Sequence, residues 1–394
     1  MRQWLSHAVN SHFPRLSWQL WSGRRGFRQA TLAELKPAVV NKVRRRFPTS
    51  RGHISPTPRL LLVVPMADHA EIPWEPAVGN YSFELLETAR ACIGAENVDT
   101  IWIHPEESTS SYQDRIIDFL KEGRFTHILS RIDIEANGGP DWSWDLLVRK
   151  MRRSWPGVFL PLTYDSAYPY ISMHLDRITR LSELTVPIVL DRPISGIIRP
   201  NRPAAGPLFL PLSDTSTQVI NAALSGVTAE LDLTFIGNVS GYPYRSKLLE
   251  ELAAEGLEVT TNPQGRTDSE MAGFISYALA LRRSKVTLNF TRCNGVPVTQ
   301  LKTRMLEGSL FGAIVAADNP LYARDYFEEG EEFLSYSSPN DLKTKLNALL
   351  ADEQRLATMR HKARAKADFL RVRNFWETTD RALRKRGFPP LLPT

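Results

Sequence analysis

A regular alternation of strand-like and helix-like stretches begins near Pro58, and it limits the possible folds more than any other feature. Residues 59–65 (RLLLVVP) form a continuous apolar run, which is typical of a parallel strand covered on both faces. The alternation that follows predicts a parallel sheet with helices on both of its faces. In the first half, the predicted strands are 59–65, 98–104, 125–130 and 158–163, and the predicted helices are 81–93, 112–121 and 144–154.

A second strand–helix series follows a stretch rich in proline and glycine, residues 191–211, which indicates a linker. Its predicted strands are 231–236, 258–261, 286–290 and 313–317, and its predicted helices are 245–254, 270–281, 300–311, 339–350, 352–369 and 374–386. A chain of 394 residues is long enough to form two cores. We therefore expect an α/β protein with two Rossmann-like domains. The expected segments are a basic extension at 1–57, domains at 58–205 and 206–370, and a C-terminal helix at 371–394 that crosses back onto the first domain.

Composition excludes several classes of protein. Hydrophobic residues make up 42% of the chain and charged residues 23%, which are the values of a globular protein. No run approaches the roughly 18 apolar residues of a membrane-spanning helix, and residues 1–10 lack the apolar core of a secretory signal. The two cysteines, Cys92 and Cys293, favour a reducing compartment over a disulfide framework. We therefore expect a cytoplasmic protein.

Positive charge is concentrated in the extension. Residues 1–57 contain eleven lysines or arginines and a single acid, Glu34, whereas residues 58–394 contain 38 basic and 42 acidic side chains. A body with a net charge of −4 has no basic face for nucleic acid, so we expect no nucleic-acid partner. Arginines and aromatic rings alternate in the extension, which suits peripheral contact with the anionic inner face of a membrane. The alternative is a helical arm packed on the body by its aromatic rings.

Candidate ligand residues follow two predicted strands of the second half. Gly237 and Asn238 come after the first strand, ahead of a helix that carries Arg245, and glycines there allow backbone N–H groups to approach a phosphate. The alternative is an ordinary turn. Asn289 ends a later strand and leads into a polar loop, so it is a second candidate for the wall of a pocket.

A third group lies on the predicted helix 300–311. Helical spacing places Gln300, Thr303, Arg304 and Glu307 on one face. A carboxylate on that face can accept hydrogen bonds from both hydroxyls of a ribose, and a guanidinium one turn earlier can neutralise a diphosphate. The alternative is a surface pair between Arg304 and Glu307, worth only about 0.3–0.5 kcal/mol.

Three motifs occur in order within residues 231–369, and together they resemble the C-terminal half of bacterial GT-B glycosyltransferases. The resemblance is strongest to the CgeB-like branch of the group 1 enzymes. The first motif is Thr234-Phe235-Ile236-Gly237, Tyr244-Arg245, Leu248-Leu249 and Leu252; the second is Gln300, Lys302, Arg304, Met305-Leu306-Glu307, Gly312 and Val315; the third is Gly330-Glu331-Glu332, Tyr336, Ser338 and Asp341-Leu342. Leu306 departs from the family pattern, with an effect expected only on packing. The run Ser309-Leu310-Phe311 also departs from it and leaves the identity of the donor sugar open.

The resemblance implies a GT-B fold, in which two Rossmann-like domains face each other across a cleft. It implies a nucleotide diphosphate sugar as donor substrate, a glycan or glycolipid as acceptor, and no cofactor or obligatory metal. Glu307 matches the residue that binds the donor ribose, and Arg245, Lys302 and Arg304 are the candidates for the diphosphate. The absence of any Asp-x-Asp motif in the sequence agrees with a metal-independent enzyme.

The first half offers candidates for a catalytic base that would act on the acceptor. Asp68 and His69 lie in a long loop after the first strand, and Asp165 follows a later strand, where side chains of an α/β sheet reach the cleft. For each, loop solvation or helix capping is the alternative interpretation. Two other functions remain open: a nucleotide-sugar epimerase, recognised by epimerised sugar without acceptor, and a non-catalytic membrane-docked protein, excluded by donor hydrolysis.

Overall fold

The computed structural model describes most of the two domains. The described residues are 57–65, 79–104, 107, 109–122, 124–132, 143–163, 169–190, 204–239, 242–263, 270–292 and 299–393. The predictions for the basic extension 1–57, for Cys293 and for the catalytic candidates Asp68, His69 and Asp165 lie outside these residues.

The first domain is a parallel sheet with helices on both faces. Its strands are β1 (Leu60–Pro65), β2 (Val98–Ile103), β3 (His127–Arg131), β4 (Val158–Thr163) and β5 (Ile188–Val189). Its helices are α1 (Tyr81–Ile93), α2 (Thr109–Lys121), α3 (Ser143–Ser154) and α4 (Pro169–Leu181). The strand order is β2-β1-β3-β4-β5, and every pair is parallel.

The continuous apolar run of β1 is explained by its position in the middle of this sheet. Leu60 and Leu62 face the cluster that contains α1, whereas Leu61 and Val63 face the cluster formed by α2, α3 and α4. Each face of the strand is fully covered, so the usual alternation of polar and apolar residues is lost. Cys92 is a half-buried member of the α1 side, and burial raises its pKa to about 11.

The second domain repeats the same plan. Its strands are β6 (Leu231–Phe235), β7 (Thr260–Thr261), β8 (Ser284–Asn289), β9 (Ile314–Ala317) and β10 (Leu334–Ser335). Its helices are α5 (Asp214–Ala223), α6 (Pro243–Ala254), α7 (Glu270–Arg283), α8 (Arg304–Phe311), α9 (Pro339–Leu350) and α10 (Glu353–Lys385). The order β7-β6-β8-β9-β10 is again parallel throughout.

Two predictions about helices are wrong. The predicted helix 300–311 begins only at Arg304, because the N–H of Gln300 donates to the carbonyl of Thr291 (2.8 Å) and keeps that segment extended. The predicted helices 352–369 and 374–386 are one continuous helix, α10. Four described elements were not predicted: α4, β5, α5 and β10.

The helix α10 runs from the second domain onto the first. Trp376 is fully buried, and its indole N–H donates to Thr88 of α1 (3.0 Å). Before it, the side-chain oxygen of Asn374 accepts from the N–H of Phe209 (2.9 Å). After the helix, the carbonyl of Pro389 lies 3.2 Å from Nε2 of His127 in β3. No helix in the described residues has the length and apolar character needed to cross a membrane.

Candidate functional site

The topology of the second sheet selects one edge for a ligand. The strand β7 lies on one side of β6, while β8, β9 and β10 follow on the other side, so the chain changes direction between β6 and β8. In open α/β sheets, ligands bind beyond the carboxyl ends of the strands at such a reversal. Gly237 comes just after β6 and Asn289 ends β8, so two of the sequence-predicted residues flank this crevice.

The backbone of Gly237 is already occupied. Its N–H donates to Oδ1 of Asn262 (2.7 Å), and Nδ2 of Asn262 donates back to the carbonyl of Gly237 (3.0 Å). In this structure the N–H of Gly237 is directed at Asn262, and the role of Gly237 in donor binding stays a prediction. A Cβ at this position would lie 2.6 Å from Nη2 of Arg304, which would have to move. Asn262 holds the loop, and nothing in its sequence context indicated this role.

Arg304 begins α8 and points its guanidinium group at the crevice loop. The group lies 5.2 Å from the centre of the Phe235 ring, and its Nε is buried without a hydrogen-bond partner among the described residues. A buried N–H of a charged group that lacks an acceptor is costly, and such groups are rare unless a ligand or water completes them. Arg304 is therefore available to an anionic ligand.

Arg245, in α6, lies on the opposite side of the same loop and is 9% exposed. Its guanidinium group stacks 3.9 Å from the centre of the Tyr242 ring, and Nη1 donates to the carbonyl of Asn238 (2.5 Å). The side chain of Asn238 itself is exposed. Arg245 thus fixes the shape of the loop and places a second positive charge beside the crevice.

Glu307 lies one turn into α8 and is engaged by a tyrosine. The hydroxyl of Tyr277 in α7 donates to Oε2 of Glu307 (2.9 Å). Burial raises the pKa of Glu307, while the hydrogen bond from Tyr277 and the charge of Arg304 lower it. Burial also holds the pKa of Tyr277 well above its usual value, so the phenol remains a donor. The surface pair between Arg304 and Glu307 that the sequence left open is not formed in the described part of the chain.

A small cavity between the two domains reaches the carboxylate of Glu307. Its volume is about 20 Å³, which is room for a single water molecule, so a sugar ring can enter only if the lining moves. Gly79 closes the first-domain side so tightly that a Cβ there would lie 2.3 Å from the ring of Phe274 in α7. The lining consists of Gly79, Tyr81, Glu84, Leu210, Pro211, Leu212, Phe274, Thr303, Leu306, Glu307 and Leu310.

Glu84 of the same cavity is a functional candidate that sequence reasoning missed. Its buried carboxylate accepts hydrogen bonds from the N–H of Gly79 (2.9 Å), from the N–H of Ser213 (2.6 Å) and from the hydroxyl of Ser216. Burial raises its pKa against the effect of these bonds. In the sequence, Glu84 is an ordinary acid in the first turn of a helix. Two of its three partners, Ser213 and Ser216, lie about 130 positions away, so the local sequence could not indicate its role.

The remaining predicted residues differ in their surroundings. Asn289 is fully buried, and neither its amide oxygen nor its nitrogen has a partner within the described ranges. Gln300 is 2% exposed, and Lys302 is half-buried just ahead of α8. Beside them, Asp318 accepts from both the N–H (2.8 Å) and the hydroxyl (2.6 Å) of Thr291. At the end of β8, the side-chain amide of Asn289 can therefore still form hydrogen bonds with a ligand.

Comparison with known proteins shows a family likeness in the second domain and a likeness of fold over most of the chain. Residues 224–381 match the model of a family described as glycosyl transferase-like. No curated protein matches the chain. The solved structure of Anabaena HepE (Alr3699) in complex with UDP is similar, with a TM-score of 0.51 and 11% identity over 84% of this chain and 99% of HepE. The HepE complex with UDP-glucose gives a TM-score of 0.50 and 11% identity over 83% and 99% of the two chains.

At this level of identity, the likeness to HepE concerns the fold, which is that of two parallel Rossmann-like sheets. The family match covers the domain in which Gly237, Arg245, Asn289, Arg304 and Glu307 meet. Residues 224–381 thus resemble the glycosyl transferase-like family, and the chain as a whole has the GT-B fold.

Proposed function

We propose that this enzyme transfers a sugar from a nucleotide diphosphate sugar to a glycan or glycolipid acceptor, without a metal ion or other cofactor. The observation that carries the proposal is the position of Glu307. Its carboxylate is held by Tyr277, lies beside the partnerless Nε of Arg304 and reaches a cavity lined by both domains. Charged groups in this arrangement serve a ligand better than they serve stability, since burying them is costly.

In this proposal, Glu307 binds the donor ribose. One carboxylate oxygen accepts from Tyr277, and the carboxylate retains lone pairs for the two ribose hydroxyls. Gln300 and Asn289 add neutral hydrogen-bonding groups, and the side-chain amide of Asn289 has no partner among the described residues. These groups suit the uncharged part of a nucleotide sugar.

The diphosphate lies between Arg304, Arg245 and the N-terminus of α8. Arginine forms paired hydrogen bonds to phosphate oxygens, and the N-terminal end of a helix carries a favourable partial charge. Lys302, two residues before the helix, adds a further positive charge. As the bond between the anomeric carbon and the diphosphate oxygen breaks, these groups stabilise the charge that develops on the leaving group.

The acceptor hydroxyl forms the new bond to the anomeric carbon and gives its proton to a base from the first domain. Asp68, His69 and Asp165 are the candidates from the sequence, and each belongs to a segment that follows a strand of the first domain. Because the cavity at Glu307 has room for only one water molecule, we propose that the domains separate to admit the donor and close again around it.

The test of this proposal is donor binding by the purified chain. We expect one member of a panel of UDP-, GDP-, dTDP- and CMP-sugars to raise the melting temperature, with UDP-glucose as first probe because a HepE structure contains it. Glu307→Ala should weaken that binding at least about tenfold by calorimetry. Glu331→Ala, which removes an exposed acid paired with Lys362, is the matched control and should bind normally. Unchanged affinity in Glu307→Ala would refute the assignment.

We also propose that the extension 1–57 holds the enzyme at the cytoplasmic face of an anionic membrane. Its charge of +10 and its aromatic residues support this role, since each basic residue near such a surface contributes about 1 kcal/mol. Deleting residues 1–57 should abolish binding to anionic vesicles and leave donor affinity unchanged. Equal vesicle binding by the truncated protein would contradict the proposal.

A further inference from the structure

Three arginines converge on the side of the second domain where α5 and α8 end. A Cβ at Gly312, the residue after α8, would lie 2.8 Å from Nη1 of Arg282 and 3.4 Å from Nη2 of Arg360. The two guanidinium groups are therefore within about 6 Å of each other. Arg364 lies one turn after Arg360 on α10, and its charge acts on both of the others.

Within the described residues, none of these three arginines forms an ion pair, whereas the neighbouring Arg283 pairs with Glu230. Asp368, which lines one of the adjoining cavities, is bonded to Arg371 (2.7 Å). Burial, followed by repulsion from the neighbouring arginines, lowers the pKa of both Arg282 and Arg360. Three positive charges thus stand together at a cost to the folded state.

Helix capping accounts for only part of the arrangement. The Nε of Arg282 donates to the carbonyl of Val227 (3.2 Å), and the Nε of Arg360 donates to the carbonyl of Gly312. Capping uses one N–H of each group, and a guanidinium has five. Among the described residues, the Nη nitrogens of Arg282 and Arg360 have no acceptor, and they are not among the fully buried unpartnered atoms. These nitrogens form the fork that matches phosphate oxygens.

Two open cavities adjoin the cluster and share Asn221 and Arg364. One has a volume of about 280 Å³ and contains Arg282, and the other, of about 370 Å³, contains His361. Apolar side chains also line them, including Phe311 in the first and Leu310 in the second. Leu310 also lines the cavity at Glu307, so the cluster lies behind the proposed donor site and is separated from it by α8.

We propose that Arg282, Arg360 and Arg364 form a second anion site, which binds a phosphate or diphosphate group of a ligand distinct from the sugar donor. A phosphate dianion matches three uncompensated charges better than a single carboxylate does, and arginine forks bind it through paired hydrogen bonds. The apolar side chains beside the cluster accommodate the part of the ligand that carries the phosphate. The ligand is either a soluble phosphate ester or the headgroup of a phospholipid.

The experiment is a calorimetric titration of the full chain with inorganic phosphate. Arg364→Gln is the main variant, because Arg364 forms a single hydrogen bond, to Oδ1 of Asn221 (2.9 Å), and does not cap a helix carbonyl. We expect Arg364→Gln to weaken phosphate binding by about tenfold and Arg364→Lys to weaken it less. Arg283→Gln changes the same charge on the neighbouring residue and should bind phosphate like the wild type.

Two further comparisons assign the site. If phosphate binding is lost in Arg304→Gln and retained in Arg364→Gln, the anion lies in the donor crevice and the proposal is overturned. The proposal is also overturned if neither phosphate binding nor vesicle binding differs between wild type and Arg364→Gln, or if Arg283→Gln shows an equal loss. Vesicles that contain phosphatidic acid distinguish the two sources. If vesicle binding depends on Arg364 and free phosphate does not bind, the ligand is a lipid headgroup, whereas binding of free phosphate that depends on Arg364 supports a soluble ester.

Discussion

Tyr277 donates its hydroxyl to Oε2 of Glu307 over 2.9 Å, and this bond offsets part of the rise in pKa that burial imposes on the carboxyl group. The two residues come from different helices, α7 and α8, and meet next to the cavity between the domains. The pKa of Glu307 is still raised overall, and the hydrogen bond from Tyr277 favours the charged carboxylate against the effect of burial.

Removing the phenol tests this relationship. In Tyr277→Phe, we expect the pKa of Glu307 to rise further, because a bond that favours the charged form is lost. Affinity for the donor should fall about fivefold at neutral pH, the cost of roughly 1 kcal/mol for one hydrogen bond, and should recover as pH rises. Calorimetry with UDP-glucose over a pH series measures this. Tyr326→Phe, which loses a hydrogen bond to the carbonyl of Pro207, is the control, and superimposable pH profiles for Tyr277→Phe and wild type would contradict the prediction.

A methyl group at Gly237 tests the placement of Arg304. The new Cβ would stand 2.6 Å from Nη2 of Arg304, so the guanidinium group must move away from the crevice. We expect about tenfold weaker donor binding in Gly237→Ala, together with some loss of stability from the positive φ of that residue. Gly226→Ala is the control, since it carries the same kind of backbone strain (φ +74) while its Cβ meets nothing within 4 Å, and its donor affinity should not change. A Gly237→Ala protein with full affinity would show that Arg304 does not contact the donor.

The buried Glu84 predicts a pH dependence of stability. Its pKa is raised above the ordinary 4.5, so the folded state retains the proton over a range in which the unfolded state has lost it. The contribution of Glu84 to the free energy of unfolding is therefore fully present below pH 4.5 and is lost as pH rises through the folded pKa. Glu84→Gln lacks this dependence. In urea denaturation from pH 4.5 upward, the free energy of unfolding of the wild type should fall relative to that of Glu84→Gln. Glu87→Gln, at a partly exposed position, is the control. If the two free energies of unfolding differ by the same amount at every pH, Glu84 does not cause a pH dependence of stability.

His127 predicts a dependence of the opposite sign. Burial lowers its pKa to about 4 from 6.5, so the unfolded state binds the extra proton between these values and the folded state does not. The free energy of unfolding should fall by up to about 3 kcal/mol as pH decreases from 6.5 to 4. His127→Gln, which can still donate to Pro389, should lack this fall, whereas the exposed His361→Gln should keep it. Urea denaturation between pH 4 and 6.5 measures this, and a His127→Gln variant that loses as much stability as the wild type would contradict the prediction.

The periodicity of the sequence was sufficient for the architecture and for most elements. It failed where a tertiary bond overrides local preference, as at Gln300, whose N–H is taken by Thr291 and whose segment is therefore extended. It also failed for α4, although Ile171, Leu175 and Ile178 have helical spacing and are all buried. Very short strands such as β5 leave no periodic signal of their own.

The candidate site could be predicted only in part, because some of its residues have local sequence features and others depend on tertiary contacts. Gly237, Asn289 and Arg304 could be chosen because each lies at a strand end or helix start, which is a local feature. Tyr277, Asn262 and Glu84 could not, because each acts through a partner that is at least 25 residues away in the chain. Contacts of this kind become visible only when the sheets are assembled.

The helix α10 is a continuous rod of 33 residues, about 50 Å long, with one end in each domain. Its far end is locked into the first domain by Trp376 and by the hydrogen bonds that Asp380 accepts from Leu391 and Leu392. Such a rod resists stretching and bends only at a cost, so it restricts how the two lobes can part. Any separation of the two lobes must therefore bend this helix or break the contacts at one of its ends.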